Sequence, residues 1–521
     1  MQPERGYSAK KLWTFLFVSA LLFLSVTLRL WNIEWGLPNA FHNYSFHPDE
    51  NFALNTLQSF NLKTWYRCPN FAWGPFYYYV LGFVLKVASF FGLLILNPSV
   101  EFYKTHIIEL RKIFLIGRIL TVFWGIVCVY LSYLLGRLLS GKKAGLIAAL
   151  LASVMPFAVI QSHYLCAHIQ FSALVLLALI ACLKAQENDA FAWYVLFAAS
   201  TALAIATLWF LGLTPFVAFL YLCLKKSRKE KFSIILSRRI IPVFLLTGII
   251  LFAAAPGLFL YFGDFLREWK EKTSVVYWFA SPQIIGPFVR AVPSGLGWPL
   301  YLLGVAGIFL AAKKRQEKEI MLLLWLLAYY LMVSLTGSYL WVRRFAPMLF
   351  VMVTLGSVFL ADAWEWQAKK TWGRRLIAIG GAGVFLYSFL ISCALLDTMN
   401  HDTHEAAASW INRSIPAHKR IAIRSWKSAP QLDIHKYIFT EGIEPDHLGS
   451  GEFDYYILSS GMLPEPTTRN LIRNGIPGYS LLATFEYVPS FLGMRFSFYE
   501  DGYANPTIYV FVRSGKSKEG R

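Results

Sequence analysis

The chain of 521 residues is 56% hydrophobic and only 15% charged, and its mean hydropathy is +0.48. One soluble core cannot bury so much apolar surface, so this composition excludes soluble enzymes and indicates a polytopic membrane protein. The net charge of +19 does not indicate a nucleic-acid-binding protein, because the Lys and Arg residues lie mainly in short loops between apolar runs.

The first apolar run covers residues 12–30 and follows the basic residues Arg5, Lys10 and Lys11. A cleaved secretory signal begins in the same way. No small-residue cleavage pattern follows this run, which ends at Arg29-Leu-Trp. We therefore predict a retained first helix with a cytoplasmic N-terminus.

Four basic clusters, at 137–143, 225–239, 313–318 and 369–375, separate the later apolar runs. The positive-inside rule makes all four cytoplasmic. The chain between them then crosses in pairs, at 144–160 and 169–184, 191–206 and 209–224, 240–262 and 298–312, and 319–336 and 345–363. Together with residues 12–30, 113–138 and 374–396, this predicts about 11 transmembrane helices.

The apolar segment 76–96 does not fit this series. If it crossed the membrane fully, every later basic cluster would lie outside the cell. We predict that it lies in the interface or re-enters the membrane, where the aromatic rings of Tyr77, Tyr78 and Tyr79 suit the headgroup layer.

The composition changes after the last apolar run. A helix is predicted at 403–415, and short β-rich runs follow at 420–425, 455–460 and 507–512, separated by turns that contain Pro and Gly. We predict a transmembrane domain at 1–398, with its first external loop at 32–112, and a small extracytoplasmic α/β domain at 399–521.

The first external loop contains Tyr-Ser-Phe-His-Pro-Asp-Glu-Asn-Phe at 44–52, which places His47, Asp49 and Glu50 together beyond a membrane helix. Pro48 stiffens the approach, and carboxylates in the first turn of a helix are favoured by the helix dipole. By these residues alone, the segment is either a catalytic site or a helix cap in a solvated loop.

Further motifs follow in order. They are Leu-Ile-Gly-Arg-Ile-Leu at 115–120, Gln-Ser-His-Tyr at 161–164, Arg-Arg-Phe-Ala-Pro at 343–347 and Asp-Thr-His-Glu-Ala-Ala-Ala-Ser-Trp-Ile at 402–411. With His-Pro-Asp-Glu, this ordered set resembles the GT-C class of integral-membrane glycosyltransferases, in the branch of protein O-mannosyltransferases and aminoarabinose transferases. The resemblance covers nearly the whole chain and is to bacterial members, which implies a multi-pass protein of the cell (inner) membrane.

The resemblance implies a polyprenyl-phosphate sugar as donor and an acceptor hydroxyl on a protein, lipid or glycan. It assigns Asp49 as the base that deprotonates this hydroxyl, with Glu50 orienting the site or holding a cation and His47 beside them. A carboxylate near a low-dielectric membrane surface can have a raised pKa, which suits a base. One displacement with one base implies inversion at the anomeric carbon.

The leaving lipid phosphate needs fixed positive charge. Arg343 and Arg344 are the candidates, because the predicted topology places them outside and guanidinium groups match phosphate oxygens. The alternative is that they snorkel to anchor a helix end. Arg118 is a third candidate, since an isolated charge inside a crossing usually has a partner.

His163, Tyr164 and His168 lie in a predicted external turn and are candidates to line the substrate cavity. Their alternative role is that of satisfied polar residues at the membrane boundary. The relatives often carry a second Asp near the position of His168 and a Lys in the turn that is Thr-Leu-Trp-Phe at 207–210 here. No cofactor is therefore assigned; a divalent metal is left open, with Glu50 and His163 as candidate ligands.

Two other functions remain open. A transporter or flippase for a lipid-linked saccharide would favour inverted repeats and ionisable groups at the membrane midplane, and neither is evident in the sequence. A catalytically silent relative could act as an assembly factor. Nucleotide donors are disfavoured, because the sequence lacks a Gly-X4-Gly-Lys-Ser/Thr loop and a Gly-X-Gly-X-X-Gly motif.

Overall fold

The computed structural model describes residues 4–39, 43–60, 73–227, 230–275, 284–335, 341–367, 370–424, 429–433, 436–448, 452–460, 470–471, 473–495 and 505–514. The chain divides into two compact units. The first comprises Met1–Ile33, Ala53–Leu96 and Ile116–Ser392, and the second comprises Glu34–Phe52, Asn97–Leu115 and Cys393–Arg521. The predicted domains at 1–398 and 399–521 stay a prediction.

Most described residues before residue 415 are helical. The helices are α1 (Glu4–Leu30), α2 (Pro48–Gln58), α3 (Pro75–Phe90), α4 (Val100–Thr105), α5 (Ile107–Ser153), α6 (Pro156–Gln161), α7 (Ala167–Asn188), α8 (Phe191–Ile205), α9 (Pro215–Lys226), α10 (Phe232–Ile235), α11 (Ile241–Ala254), α12 (Pro256–Leu260), α13 (Phe262–Val275), α14 (Val292–Leu296), α15 (Trp298–Lys314), α16 (Glu317–Leu335), α17 (Ala346–Trp366), α18 (Thr371–Thr398) and α19 (Thr403–Ser414).

The long helix α5 is interrupted where the sequence predicts a cytoplasmic loop. Ser140 has φ −143° and ψ 30°, and Gly141 has φ +80° and ψ −174°, neither of which is helical. The left-handed φ at position 141 favours glycine, which has no Cβ to clash. The break separates the predicted crossings 113–138 and 144–160 at the first basic cluster.

Among the described residues, five helical stretches are long and apolar enough to cross a membrane, or six if the bent pair Pro287–Leu296 and Trp298–Lys314 forms one span. Three shorter apolar helices, Phe15–Leu30, Pro75–Phe90 and Phe191–Ile205, accompany them. The fold is therefore that of a helical, multi-pass membrane protein. The predicted number of about 11 crossings and the interfacial position of 76–96 remain predictions.

Helices α15 and α17 pack closely within the first unit because glycines face the contact. A Cβ built on Gly307 would lie 2.3 Å from the carbonyl carbon of Leu355, and a Cβ on Gly356 would lie 2.9 Å from the side chain of Leu303. Small residues let membrane helices approach to backbone contact, which maximises van der Waals packing. The five described cysteines are free and buried.

The second unit contains a five-stranded mixed sheet of order β2-β1-β3-β7-β4. β1 pairs with β2 and β3 in parallel, and β7 pairs antiparallel with β3 and β4. Ala407 and Ile411 of α19 join the buried cluster of apolar side chains that includes Ile421 of β1. The strands are β1 (Arg420–Ile423), β2 (Ile438–Glu441), β3 (Tyr455–Ser459), β4 (Tyr479–Phe485), β5 (Ser490–Phe491), β6 (Met494–Arg495) and β7 (Ile508–Arg513).

The predicted α/β character of the C-terminal part is thus confirmed, with the helix and the three predicted strands found as α19, β1, β3 and β7. A separate hairpin pairs β5 with β6.

Candidate functional site

The acidic motif forms a tight turn ahead of helix α2. The Ser45 N–H donates to Asn51 Oδ1 at 2.9 Å, and Asn51 Nδ2 donates back to the Ser45 carbonyl at 2.6 Å. The His47 N–H donates to Ser45 Oγ at 3.1 Å, and the Ser45 hydroxyl donates to Glu50 Oε2. The turn is therefore fixed by its own side chains, and the motif enters α2 at Pro48.

The two acidic residues of this turn have different environments. Glu50 is fully buried and accepts the bond from Ser45, whereas Asp49 is half-buried. A buried carboxylate needs hydrogen bonds to stay charged, so Glu50 is suited to holding the turn in place. Asp49 is the more accessible carboxylate, and His47, two residues before it, is buried.

The turn is clamped to the start of α19 by aromatic side chains. The Phe46 N–H donates to the carbonyl of Gly36 at 3.0 Å, and the Phe46 ring stacks on His404 with centroids 4.6 Å apart. Trp35 meets the edge of Phe46 at 6.1 Å, and its indole N–H donates to Asp402 Oδ2 at 2.5 Å. We call Trp35, Phe46, Asp402 and His404 the aromatic clamp.

Asp402 is the centre of this clamp because it also caps α19. Its Oδ1 accepts from the N–H groups of His404 at 2.6 Å and Glu405 at 3.2 Å, and lies 3.0 Å from His404 Nδ1. Burial alone would raise the pKa of Asp402, but the His404 charge and these hydrogen bonds outweigh burial and hold it below its ordinary value. Asp402 therefore stays ionised.

His404 is oriented by this contact. With Nδ1 on Asp402, its Nε2 is buried and has no hydrogen-bond partner in the part of the chain that the structure describes. Burial raises the pKa of the neighbouring Glu405, and the Asp402 charge adds to the shift. Burial also raises the pKa of Tyr44, at the start of the motif, to about 12, with a further contribution from Glu441 at the end of β2.

The remaining predicted site residues, Arg118, His163, Tyr164, His168, Arg343 and Arg344, belong to the first unit. Arg118 is fully buried in α5, and its Nη1 donates to the Ile33 carbonyl at 2.6 Å. His163 Nε2 lies 2.7 Å from the Trp31 carbonyl and its Nδ1 lies 2.8 Å from the Val159 carbonyl. Both side chains thus fix the chain that follows α1.

Burial lowers the pKa of His163 to about 4; the two carbonyls oppose this shift, and the charges of Arg118 and Arg29 add to it. The ring is therefore neutral at physiological pH and donates through one nitrogen at a time. Tyr164 is buried beside it in sequence, and the ring of the buried His168 meets the edge of Trp73 at 6.0 Å.

Arg343 and Arg344 lie on a single 3₁₀ turn, Val342–Phe345, that leads into α17. Arg343 is buried, and its guanidinium lies 4.7 Å from the ring centre of Trp341, within cation–π range. Arg344 is half-buried, and its carbonyl accepts from the Tyr329 hydroxyl at 2.7 Å. The contact with Trp341 restricts the Arg343 guanidinium. Phosphate binding by Arg343 and Arg344, and the alternative that they anchor a helix end, stay predictions.

Residues 105–258 match the family described as dolichyl-phosphate-mannose-protein mannosyltransferase. The apo structure of ArnT from Cupriavidus metallidurans is similar at a TM-score of 0.54 and 14% identity, over 96% of this chain and 98% of that chain. ArnT bound to undecaprenyl phosphate gives 0.53 and 14% over the same shares, 96% and 98%. The apo oligosaccharyltransferase of Archaeoglobus fulgidus gives 0.52 and 15%, over 86% of this chain and 70% of that chain.

The chain has the GT-C glycosyltransferase fold. The resemblance drawn from the ordered motifs is thereby confirmed, and the similarity extends over most of the chain. A search of curated protein sequences finds no significant match.

The sequence left open whether the protein binds a divalent metal ion, with Glu50 and His163 as candidate ligands. Within the described residues, no group of three or more His, Cys, Asp or Glu side chains is placed to hold a metal ion. Glu50 is engaged by Ser45, and both ring nitrogens of His163 face carbonyl oxygens. A cation on Glu50 or His163 stays a prediction, and no step of the proposed reaction depends on one.

Sequence reasoning missed two contributors to this GT-C fold. The clamp residues Trp35 and Asp402 are 367 residues apart, although Asp-Thr-His-Glu at 402–405 carries the helix-capping pattern that marks the start of α19. Arg29 was noted only as the end of α1. It is fully buried, and its Nη1 donates to the Ser25 carbonyl at 3.1 Å and to the Ser153 carbonyl, at the negative end of α5, at 3.0 Å.

Proposed function

We propose that this protein is a glycosyltransferase that moves a sugar from a polyprenyl-phosphate carrier to an acceptor hydroxyl at the external face of the membrane. The observation that carries the proposal is a half-buried carboxylate, Asp49, held in a self-fixed turn of a chain with the GT-C fold. A structure with this fold, ArnT of Cupriavidus metallidurans, has been solved with undecaprenyl phosphate bound.

In the proposed reaction, Asp49 takes the proton of the acceptor hydroxyl. The hydroxyl oxygen forms a bond to the anomeric carbon while the bond from that carbon to the phosphate oxygen breaks. The electron pair leaves with the polyprenyl phosphate. Because the displacement occurs in one step, the configuration at the anomeric carbon inverts.

Two residue groups support this chemistry. Glu50 and Ser45 hold the turn that presents Asp49. Arg343 and Arg344, with Arg118 as a third candidate, are proposed to bind the lipid phosphate, since guanidinium groups are always charged and donate in a planar fork. His163, Tyr164 and His168 are proposed to line the cavity.

The test compares release of sugar by wild-type protein and by Asp49→Asn, purified and supplied with a polyprenyl-phosphate sugar and acceptor. A general base contributes about 100- to 10,000-fold to the rate, so we expect kcat to fall by that factor. The matched control is Glu101→Gln, which removes an exposed carboxylate paired with Lys104 at 2.8 Å. NMR of the product reads its anomeric configuration.

Equal rates for wild type and Asp49→Asn would remove Asp49 as base. Movement of intact lipid-linked saccharide across vesicles without sugar release would favour the transporter. Neither release nor movement, with every donor class supplied, would favour an assembly factor.

A further inference from the structure

A hairpin in the second unit has an apolar tip that the proposed reaction does not use. Residues 488–495 form this apolar hairpin, in which Ser490 pairs with Arg495 and Phe491 pairs with Met494. Leu492 is 77% exposed, the largest value for a bulky apolar side chain among the described residues of the C-terminal part, and Val488 and Met494 are 45% and 43% exposed.

The turn of the apolar hairpin places a leucine, Leu492, in a backbone conformation that leucine rarely adopts. Leu492 and Gly493 both have positive φ, at 50° and 77°. A two-residue turn of this geometry prefers Asn-Gly, because asparagine tolerates the left-handed region better than leucine. The side chain at 492 is thus neither favoured by the backbone nor buried in the protein, which points to an apolar environment outside it.

The base of the apolar hairpin is fixed to the end of the last membrane helix. The Tyr487 hydroxyl donates to Asp397 Oδ2 at 2.7 Å, and its ring stacks on His401 with centroids 4.5 Å apart. Asp397 lies in the last turn of α18. Where the described chain resumes, Asn505 Nδ2 donates to the carbonyl of Thr398, the last residue of α18.

These contacts hold the base of the hairpin at the C-terminal end of α18, which is long and apolar enough to cross a membrane. Aromatic rings such as that of Tyr487 are typical of the headgroup layer. The occupant that fits an exposed apolar tip held at the end of a membrane helix is lipid.

We propose that the apolar hairpin inserts Leu492 and Met494 into the membrane leaflet at the C-terminal end of α18. Burial of these side chains in the acyl boundary offsets the unfavourable backbone of Leu492. Arg495, exposed at the hairpin's second strand, then lies at the depth of the lipid phosphates. The insertion is independent of the transferase reaction.

The experiment places a fluorescent thiol label at Leu492→Cys in the full-length protein in phosphatidylglycerol/phosphatidylethanolamine vesicles. The Cys68→Ser background removes the cysteine outside the described residues, since the other five are buried. The matched control is Ile438→Cys, an apolar side chain 59% exposed on β2, at the opposite edge of the sheet from β4. Nitroxide-bearing lipids and aqueous iodide serve as quenchers.

We expect nitroxide lipids to quench the label at 492 at least threefold more than the label at 438, and iodide to give the reverse order. The same label at Met494→Cys provides a second quenching measurement, because this substitution leaves the turn residues Leu492 and Gly493 unchanged. Equal iodide quenching at 492 and 438 would overturn the proposal. Protection of the label at 492 from both quenchers would also overturn it, because a protein surface would then cover the hairpin.

Discussion

Asp49 and Glu50 are adjacent in sequence, but their surroundings give them different chemistry. Glu50 is fully buried and accepts a hydrogen bond from Ser45, whereas Asp49 is half-buried. Asp49 is positioned through the backbone of a turn that Phe46 ties to His404. We therefore expect the geometry of the proposed base to depend on Phe46 and His404 as well as on the turn itself.

Trp35→Phe tests this dependence. The substitution keeps the ring against Phe46 and removes the indole N–H that donates to Asp402. Loss of a hydrogen bond to a charged group destabilises by about 1.5–3 kcal/mol. We expect thermal unfolding at a lower temperature, and a kcat for sugar release that falls more than KM changes.

Trp372→Phe is the control, because Trp372 is 71% exposed on α18. It should leave both quantities unchanged. If Trp35→Phe lowered stability and left kcat intact, the aromatic clamp would be structural and would not position the turn.

At the residue scale, the sequence predicted the acidic turn but not its partners. His47, Asp49 and Glu50 stand in one motif, so their proximity follows from the chain itself. Asp402 and His404 meet this motif only through folding, and no local pattern encodes a contact across hundreds of residues. Arg29 was missed for the same reason, since its partner Ser153 lies in another helix.

At the element scale, the backbone contact between α15 and α17 leads to a clear expectation for Gly307. A methyl group there would lie 2.3 Å from the Leu355 carbonyl carbon, and backbone cannot move aside as a flexible side chain can. Gly307→Ala should therefore destabilise the protein by about 1–3 kcal/mol, the usual cost of overpacking, measured by thermal unfolding in detergent.

Gly383→Ala is the matched control. Gly383 also lies within a membrane helix, α18, but a Cβ there would meet no atom within 4 Å. Alanine has the higher helix propensity, so this variant should be neutral or slightly stabilised. Equal effects of the two variants would mean that the α15–α17 contact is looser in the membrane.

The predicted helix bounds agree closely with the structure where an apolar run ends at polar or basic residues. The predicted 191–206 corresponds to α8 (Phe191–Ile205) and 298–312 to α15 (Trp298–Lys314). Agreement is poorer at 144–160, which the structure divides between α5 and α6, and at 240–262, divided among α11, α12 and the start of α13. Pro156 and Pro256 begin new helices there, because proline cannot continue the hydrogen bonding of the preceding one.

At the scale of the whole molecule, the distribution of charge predicts which side of the membrane each loop occupies. We expect Ile438→Cys, in the C-terminal part, to react with a membrane-impermeant maleimide in cells whose outer barrier has been opened. Lys313→Cys, in the third basic cluster and exposed, should react only after the inner membrane is permeabilised.

Labelling of both positions before permeabilisation would indicate lysed cells, so a cytoplasmic enzyme is assayed for leakage in parallel. The reverse pattern, with position 313 labelled first, would invert the topology and place Asp49 in the cytoplasm.

The bond between Trp35 and Asp402 also sets an order of events during synthesis. The two residues are 367 positions apart, and at about 5–20 residues per second a ribosome needs roughly 20 to 70 s between them. The acidic turn leaves the ribosome early, together with Trp35 and Phe46, whereas Asp402 and His404 are synthesised only after nearly all the membrane helices. A nascent chain that stops before Asp402 would therefore carry every residue of the proposed reaction and still lack the contact that holds its base.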